Sequence, residues 1–158
     1  MDKVTDAKFK ALLSRIQKEL LKPKGFKKLE SNFRRFHPDG TGQIINFQKS
    51  AFNSHGECSF TVNVGIFFCK DPAELDLRFK EYQCQIRTRV SGISGRYRGD
   101  HWWTITEVTD EEKMYAQFCV LLEEDILPWL DRLSSRAEVI RAGQRGELRS
   151  MIWGNLYQ

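Results

Sequence analysis

Between Ser59 and Phe68 the sequence reads SFTVNVGIFF. In an extended chain, successive side chains point to opposite faces. Phe60, Val62, Val64, Ile66 and Phe68 therefore share one face, and Ser59, Thr61, Asn63 and Gly65 share the other. A strand of this kind belongs to an antiparallel sheet that buries one side against a packed layer. The same period recurs in CQIRTRV, residues 84–90. Here Cys84, Ile86, Thr88 and Val90 fall on the apolar face, and Gln85, Arg87 and Arg89 on the other. IINFQKS (44–50) and HWWTITEV (101–108) predict further strands. Short strands and a turn are expected over 25–43, with HPDGTG as the turn signal.

The period changes to a helical one at both ends. Phe9, Leu12, Leu13, Ile16 and Leu20 line one side of a helix over 5–21, which Thr5 or Asp6 can cap and which Pro23 and Gly25 stop. From Asp110, Met114, Phe118, Leu121, Leu122, Leu127 and Leu130 recur at helical spacing. Pro128 is expected to kink or restart that helix. A shorter helix runs from Ser135 to Ala142, and the apolar tail RSMIWGNLYQ is expected to pack back on the body. The expected fold is α+β: an antiparallel sheet of about five strands with N- and C-terminal helices packed on one face. The 158 residues suit a single domain spanning 1–158. The expected core is Phe9, Leu12, Leu13, Ile16, Leu20, Phe60, Val62, Val64, Ile66, Ile86, Trp103, Ile105, Phe118, Leu121 and Leu122.

No apolar run approaches the roughly 18 residues that span a bilayer. The start, MDKVTDAKFKALL, lacks an uninterrupted apolar stretch of the signal-peptide kind. A cytoplasmic location with no membrane partner is expected, and with it free thiols at Cys58, Cys69, Cys84 and Cys119. The net charge of +4 is uneven. Residues 1–40 carry 11 Lys and Arg against 5 Asp and Glu, whereas residues 110–158 carry 6 against 9. The basic excess is modest enough to be the solvated face of the first helix.

Four pieces in order resemble the bacterial "domain of unknown function 4304" family: LLKPKGFKK, INFQKS, FTVNVGIF and CQIRTRV followed by DHWW. Together they cover roughly residues 9–130. The resemblance implies no assigned activity. It leaves room for an immunity-like role, in which a small stand-alone domain binds and neutralises a cognate toxin.

Catalytic signals are thin. HGEC offers His55 and Cys58 at ligand-like spacing, but a structural zinc site needs two such pairs. No metal and no cofactor are expected. There is no G-x-S-x-G elbow, no P-loop and no dinucleotide fingerprint. Glu123, Glu124 and Asp125 read as the wet face of a helix. A non-catalytic domain is expected, with an enzyme holding a small-molecule pocket as an alternative.

The stronger signal is the polar face of the sheet. If Ile105 points to the core, so does Trp103, and Trp102 points away with Thr104. Trp102 then joins Arg87, Arg89, Asn63 and Gln48, with Arg96 and Arg98 in the adjoining turn SGISGRYRGD. Arg and Trp dominate interface energetics. These seven residues are the candidate partner-binding set, with a protein as the expected partner. The positive net charge argues against a partner with a basic surface. A single-stranded nucleic acid stacking on the ring is the alternative. Whether Trp102 stands open, or is covered by the Arg-rich turn or the tail, is left to the fold.

Overall fold

The computed structural model describes residues 3–68 and 77–154. Helix α1 (Lys3–Ile16) is followed by five strands: β1 (Lys27–Leu29), β2 (Asn32–Phe36), β3 (Gly42–Lys49), β4 (Cys58–Phe67) and β5 (Ile86–Arg89). Strand β6 (Trp103–Ile105) and helices α2 (Glu111–Val120), α3 (Leu127–Arg132) and α4 (Arg136–Gln144) complete the chain. The sheet is antiparallel, in the order β1-β2-β3-β4-β5, with β6 also paired to β4. Strand β4 is long enough to take two partners on one edge: residues 63–66 pair with β5 and residues 58–60 with β6. The α+β architecture expected from the alternation is therefore present, with six strands in the sheet among the described residues.

The core lies between the sheet and the helices. All fifteen residues expected there are buried. Phe60 meets Phe9 of α1 at 5.1 Å between ring centres, and Phe118 of α2 packs on Phe47, Phe60 and Trp103. Phe26 and Phe33, from a stretch with no long alternation, are buried as well, and so are Ile45 and Phe47 on the core face of β3.

Pro23 and Pro128 shape the helices. Before each one the chain opens by one residue per turn: the N–H of Lys22 reaches Gln17 O, and that of Leu127 reaches Leu122 O. A proline ring crowds the carbonyl four residues back and offers no N–H to it. The wider π turn relieves that conflict, so the helix passes Pro128 by restarting as α3.

One expectation about burial is corrected. Cys84 does not share the core face with Ile86. It precedes β5, at the end of a short helical turn (Glu81–Gln83), and the alternation is lost there. Its side chain lies on the opposite side of the sheet with Ile44 and Phe79, where Phe36 and Phe67 join it. Phe79 stacks on Phe67 at 4.8 Å between ring centres. One end of the supposedly polar face is thus a second, smaller core. Gly65 faces it: a Cβ there would lie 2.7 Å from Cys84 Sγ and 3.2 Å from Ile44 Cγ2. Gly65→Ala is expected to cost about 1–3 kcal/mol through overpacking. Urea unfolding measures this, and adding Cys84→Ala should restore part of the loss, since contacting sites couple.

The HPDG turn has a role in tertiary structure. Asp39 accepts from the N–H of Thr41 (2.9 Å) and from that of Arg136 (2.8 Å) at the start of α4. Burial works to raise its carboxyl, but these N–H groups outweigh it and hold the group below the ordinary aspartate value. Asp6, hydrogen-bonded to Lys49 and Lys10, is also held low. A depressed folded value means the unfolded chain binds protons first as pH falls. The stabilisation is complete above the unfolded carboxyl value near 4 and is lost as pH falls toward the lower folded values. Denaturant midpoints between pH 6 and pH 3 should show this decline, and Asp39→Asn should make it shallower.

Candidate functional site

On the face of the sheet away from the helices, four strands present one row in register: Asn32, Asn46, Asn63 and Arg89. The amides are linked. Asn46 Nδ2 donates to Asn32 Oδ1 (2.7 Å), and Asn63 Nδ2 donates to Asn46 Oδ1 (3.0 Å) and Gln48 Oε1 (2.8 Å). The row ends at a cleft of about 420 Å³ between β5, the turn after it and the C-terminal tail. Gln48 and Asn63 form part of its lining, with Arg87, Arg89, Asp100 and Trp153 around them.

Trp102 is 37% exposed, and Arg89 lies over its ring at 5.4 Å. Neither the Arg-rich turn nor the tail buries it. Its neighbour Trp103 is buried between Phe60 and Phe118, with Tyr97 and His101 at its edges. The pairing of Trp103 with Phe60 assigns the two indoles to opposite faces.

Arg87 is placed differently from its neighbour. Glu81 holds it through both oxygens, at 3.1 and 3.4 Å. Its guanidinium lies over Trp153 at 5.1 Å. Trp153 is 67% exposed and was missed as a site residue, because the tail shows no alternation to place it. Backbone bonds from Arg87 N to Met151 O and from Trp153 N to Gln85 O lay the tail along β5, where Ile152 bridges Ile86. The cleft is thus flanked by two Arg–Trp stacks, one from the sheet and one shared with the tail.

Not every candidate residue reaches this cleft. Arg96 turns toward the helices and pairs with Glu124 and Asp125. Those acids continue α2 toward α3, close to the turn, so they take Arg96 out of the face. Arg98 is exposed but does not line the cleft. Asn63 is buried at the floor, not displayed. Thr61, expected outward and open, is fully buried because the returning chain covers it and its hydroxyl donates to His101 O (2.7 Å).

A family model described as "Domain of unknown function (DUF4304)" matches residues 17–132. The chain belongs to this family. No curated protein and no solved structure matches it. The DUF4304 match contains the sheet, Arg87, Arg89 and Trp102, but not α4 or the tail with Trp153. Most of the cleft therefore lies inside the family region, and only Ser150 and Trp153 of its lining lie outside it.

Elsewhere in this DUF4304 chain several titratable groups are paired or buried. A cavity of about 180 Å³ between α1 and α2 is lined by Arg15, Glu112 and Tyr115, among others. Arg15 pairs with Glu112, and the Tyr115 hydroxyl donates to Glu19 at 2.5 Å. Burial pushes the thiols of Cys58 and Cys84 up, opposite to the shift that activates a nucleophile. Cys69 lies outside the described residues. Among the described residues no group of three or more His, Cys, Asp or Glu could hold a metal ion, and no helix is long and apolar enough to cross a membrane.

Proposed function

We propose that this is a non-catalytic protein-binding domain whose partner docks on the outer sheet face, over the cleft between Trp102 and Trp153. The observation that carries this reading is the pair of Arg–Trp stacks flanking one cleft. Rigid aromatic rings beside arginine are the groups that concentrate binding energy at protein interfaces. The charges favour a protein over a nucleic acid. Arg87 faces Glu81 and Arg89 faces Asp100, so the four groups sum to zero. A backbone of phosphates needs a net positive track, and none runs through this cleft. Neutralisation of a cognate toxin is the specific form of partner binding that the DUF4304 resemblance suggests.

The test uses the full chain as bait in an extract of its own cells. A defined protein should be retained by the native chain and lost with Trp102→Ala plus Trp153→Ala. Both rings are exposed enough that Tm should move by only about 2–4 °C. If that protein inhibits growth and co-expression of this chain relieves the inhibition, the partner is a toxin. Retention that survives the double substitution would place the interface elsewhere. Oligonucleotide binding that weakens steeply between low and high salt would replace the protein reading with the nucleic-acid one.

A further inference from the structure

Arg89 is incompletely satisfied. Its side chain is 31% exposed, yet it makes no hydrogen bond to any described residue. The nearest acid oxygen, Asp100 Oδ1, is 3.7 Å from Nε, and Nη1 is shut off from solvent without a partner. Five N–H groups in a fixed fork are normally matched by acceptors where they leave water. Trp102 holds one face of the guanidinium, and the neighbouring row of amides is bonded within itself. Nη1 is closed to an incoming group as it is to water, so the donors on offer are those of Nε and Nη2, on a guanidinium that lines the cleft.

We infer that Arg89 is the receptor for a carboxylate, supplied by an acidic side chain on the docking partner. The inference rests on the protein-binding reading and names the chemistry of its central contact. A carboxylate is planar, carries one negative charge and matches the guanidinium fork with two parallel hydrogen bonds. It takes the place of Asp100, which is 70% exposed and held only loosely. An exposed pair of that kind is worth little, so the exchange costs little. A phosphate group brings between about 1.5 and 2 negative charges. Even after displacing Asp100 it would bring more negative charge than that single carboxylate, into a cleft where Glu81 already faces Arg87.

The full chain is titrated at constant ionic strength with acetyl-aspartyl-N-methylamide, with its asparagine counterpart and with inorganic phosphate. The Trp102 indole and Arg89 Nε–H signals are followed by NMR. The aspartyl probe should shift both signals and saturate in the millimolar range, and the asparaginyl probe should shift neither. Asp100→Asn, which removes the competing acid, should tighten the aspartyl probe roughly two- to fivefold. Arg89→Met should weaken it at least about tenfold. If Arg89→Met does not fold, Asp100→Asn still decides. The inference is overturned by no response to the aspartyl probe, by equal responses to both amides, by phosphate binding as tight as the carboxylate, or by unchanged affinity in Asp100→Asn. Probe binding with no protein retained overturns the partner reading and leaves the carboxylate site standing. Retention of a partner without probe binding does the reverse.

Discussion

Trp103→Ala should lower the unfolding free energy by about 3–5 kcal/mol, while Trp102→Ala, one residue earlier, should cost less than about 1 kcal/mol. The contrast follows from which face each ring occupies. Trp103 is buried, with Phe118 at 4.9 Å and Phe60 at 5.9 Å between ring centres. Strand β6 is only three residues long, and the ring ties it to Phe118 of α2. Removing it leaves a cavity lined by aromatic rings that the rigid sheet cannot close. Trp102 gives up a stack with Arg89, a contact worth roughly 0.5–1 kcal/mol where solvent reaches it. Chemical denaturation of the two variants, compared at one temperature, measures the difference. Equal losses would mean that Trp102 is part of the structural frame, and the docking surface would lose its central residue.

Gln43→Leu should cost about 2–4 kcal/mol, although it makes a fully buried position more apolar. Gln43 stands on the core face of β3, opposite Arg35 of β2. Its Nε2 donates to Leu130 O (2.8 Å) and Leu133 O (3.0 Å) at the end of α3, and its Oε1 accepts from Arg35 Nε (2.8 Å). Arg35 continues the network to Lys24 O and Asp131 and lies over the ring of Phe26. Leucine keeps the volume but leaves these groups short of partners in a dry place, at about 1–3 kcal/mol for each one orphaned. The loss should be non-additive with Arg35→Met, because the second change removes a group that the first had stranded. Thermal melts of the two single variants and the double test this. Strict additivity would show that the network does not act as a unit.

Much of the frame was legible in the chain. Residues 58–66 of β4 alternate, and a two-residue period leaves one choice of buried face. That face, shared with Ile86 and Ile105, located the sheet side of the core. The helix faces followed from spacing in the same way. The network around Gln43 could not be read so. Arg35 and Gln43 are polar residues that interrupt the pattern of β2 and β3, and the packing of α3 against them supplies the acceptors at Asp131, Leu130 and Leu133. Cys84 was misplaced for a related reason: alternation holds only while the chain stays extended, and the chain turns before Ile86.

The candidate site divides along the same line. Local periodicity placed Trp102, Arg87 and Arg89 on one face, because strand geometry is a property of neighbours in sequence. It could not say what the returning chain would do to that face. Only the tertiary structure buried Asn63 and Thr61, drew Arg96 away to Glu124 and Asp125, and brought Trp153 across to Arg87. The sequence by itself determined which side of the sheet is core and which carries the arginines. The long-range contacts decided how much of the second side stays open, because cover is supplied by segments far along the chain and no local period encodes where they land.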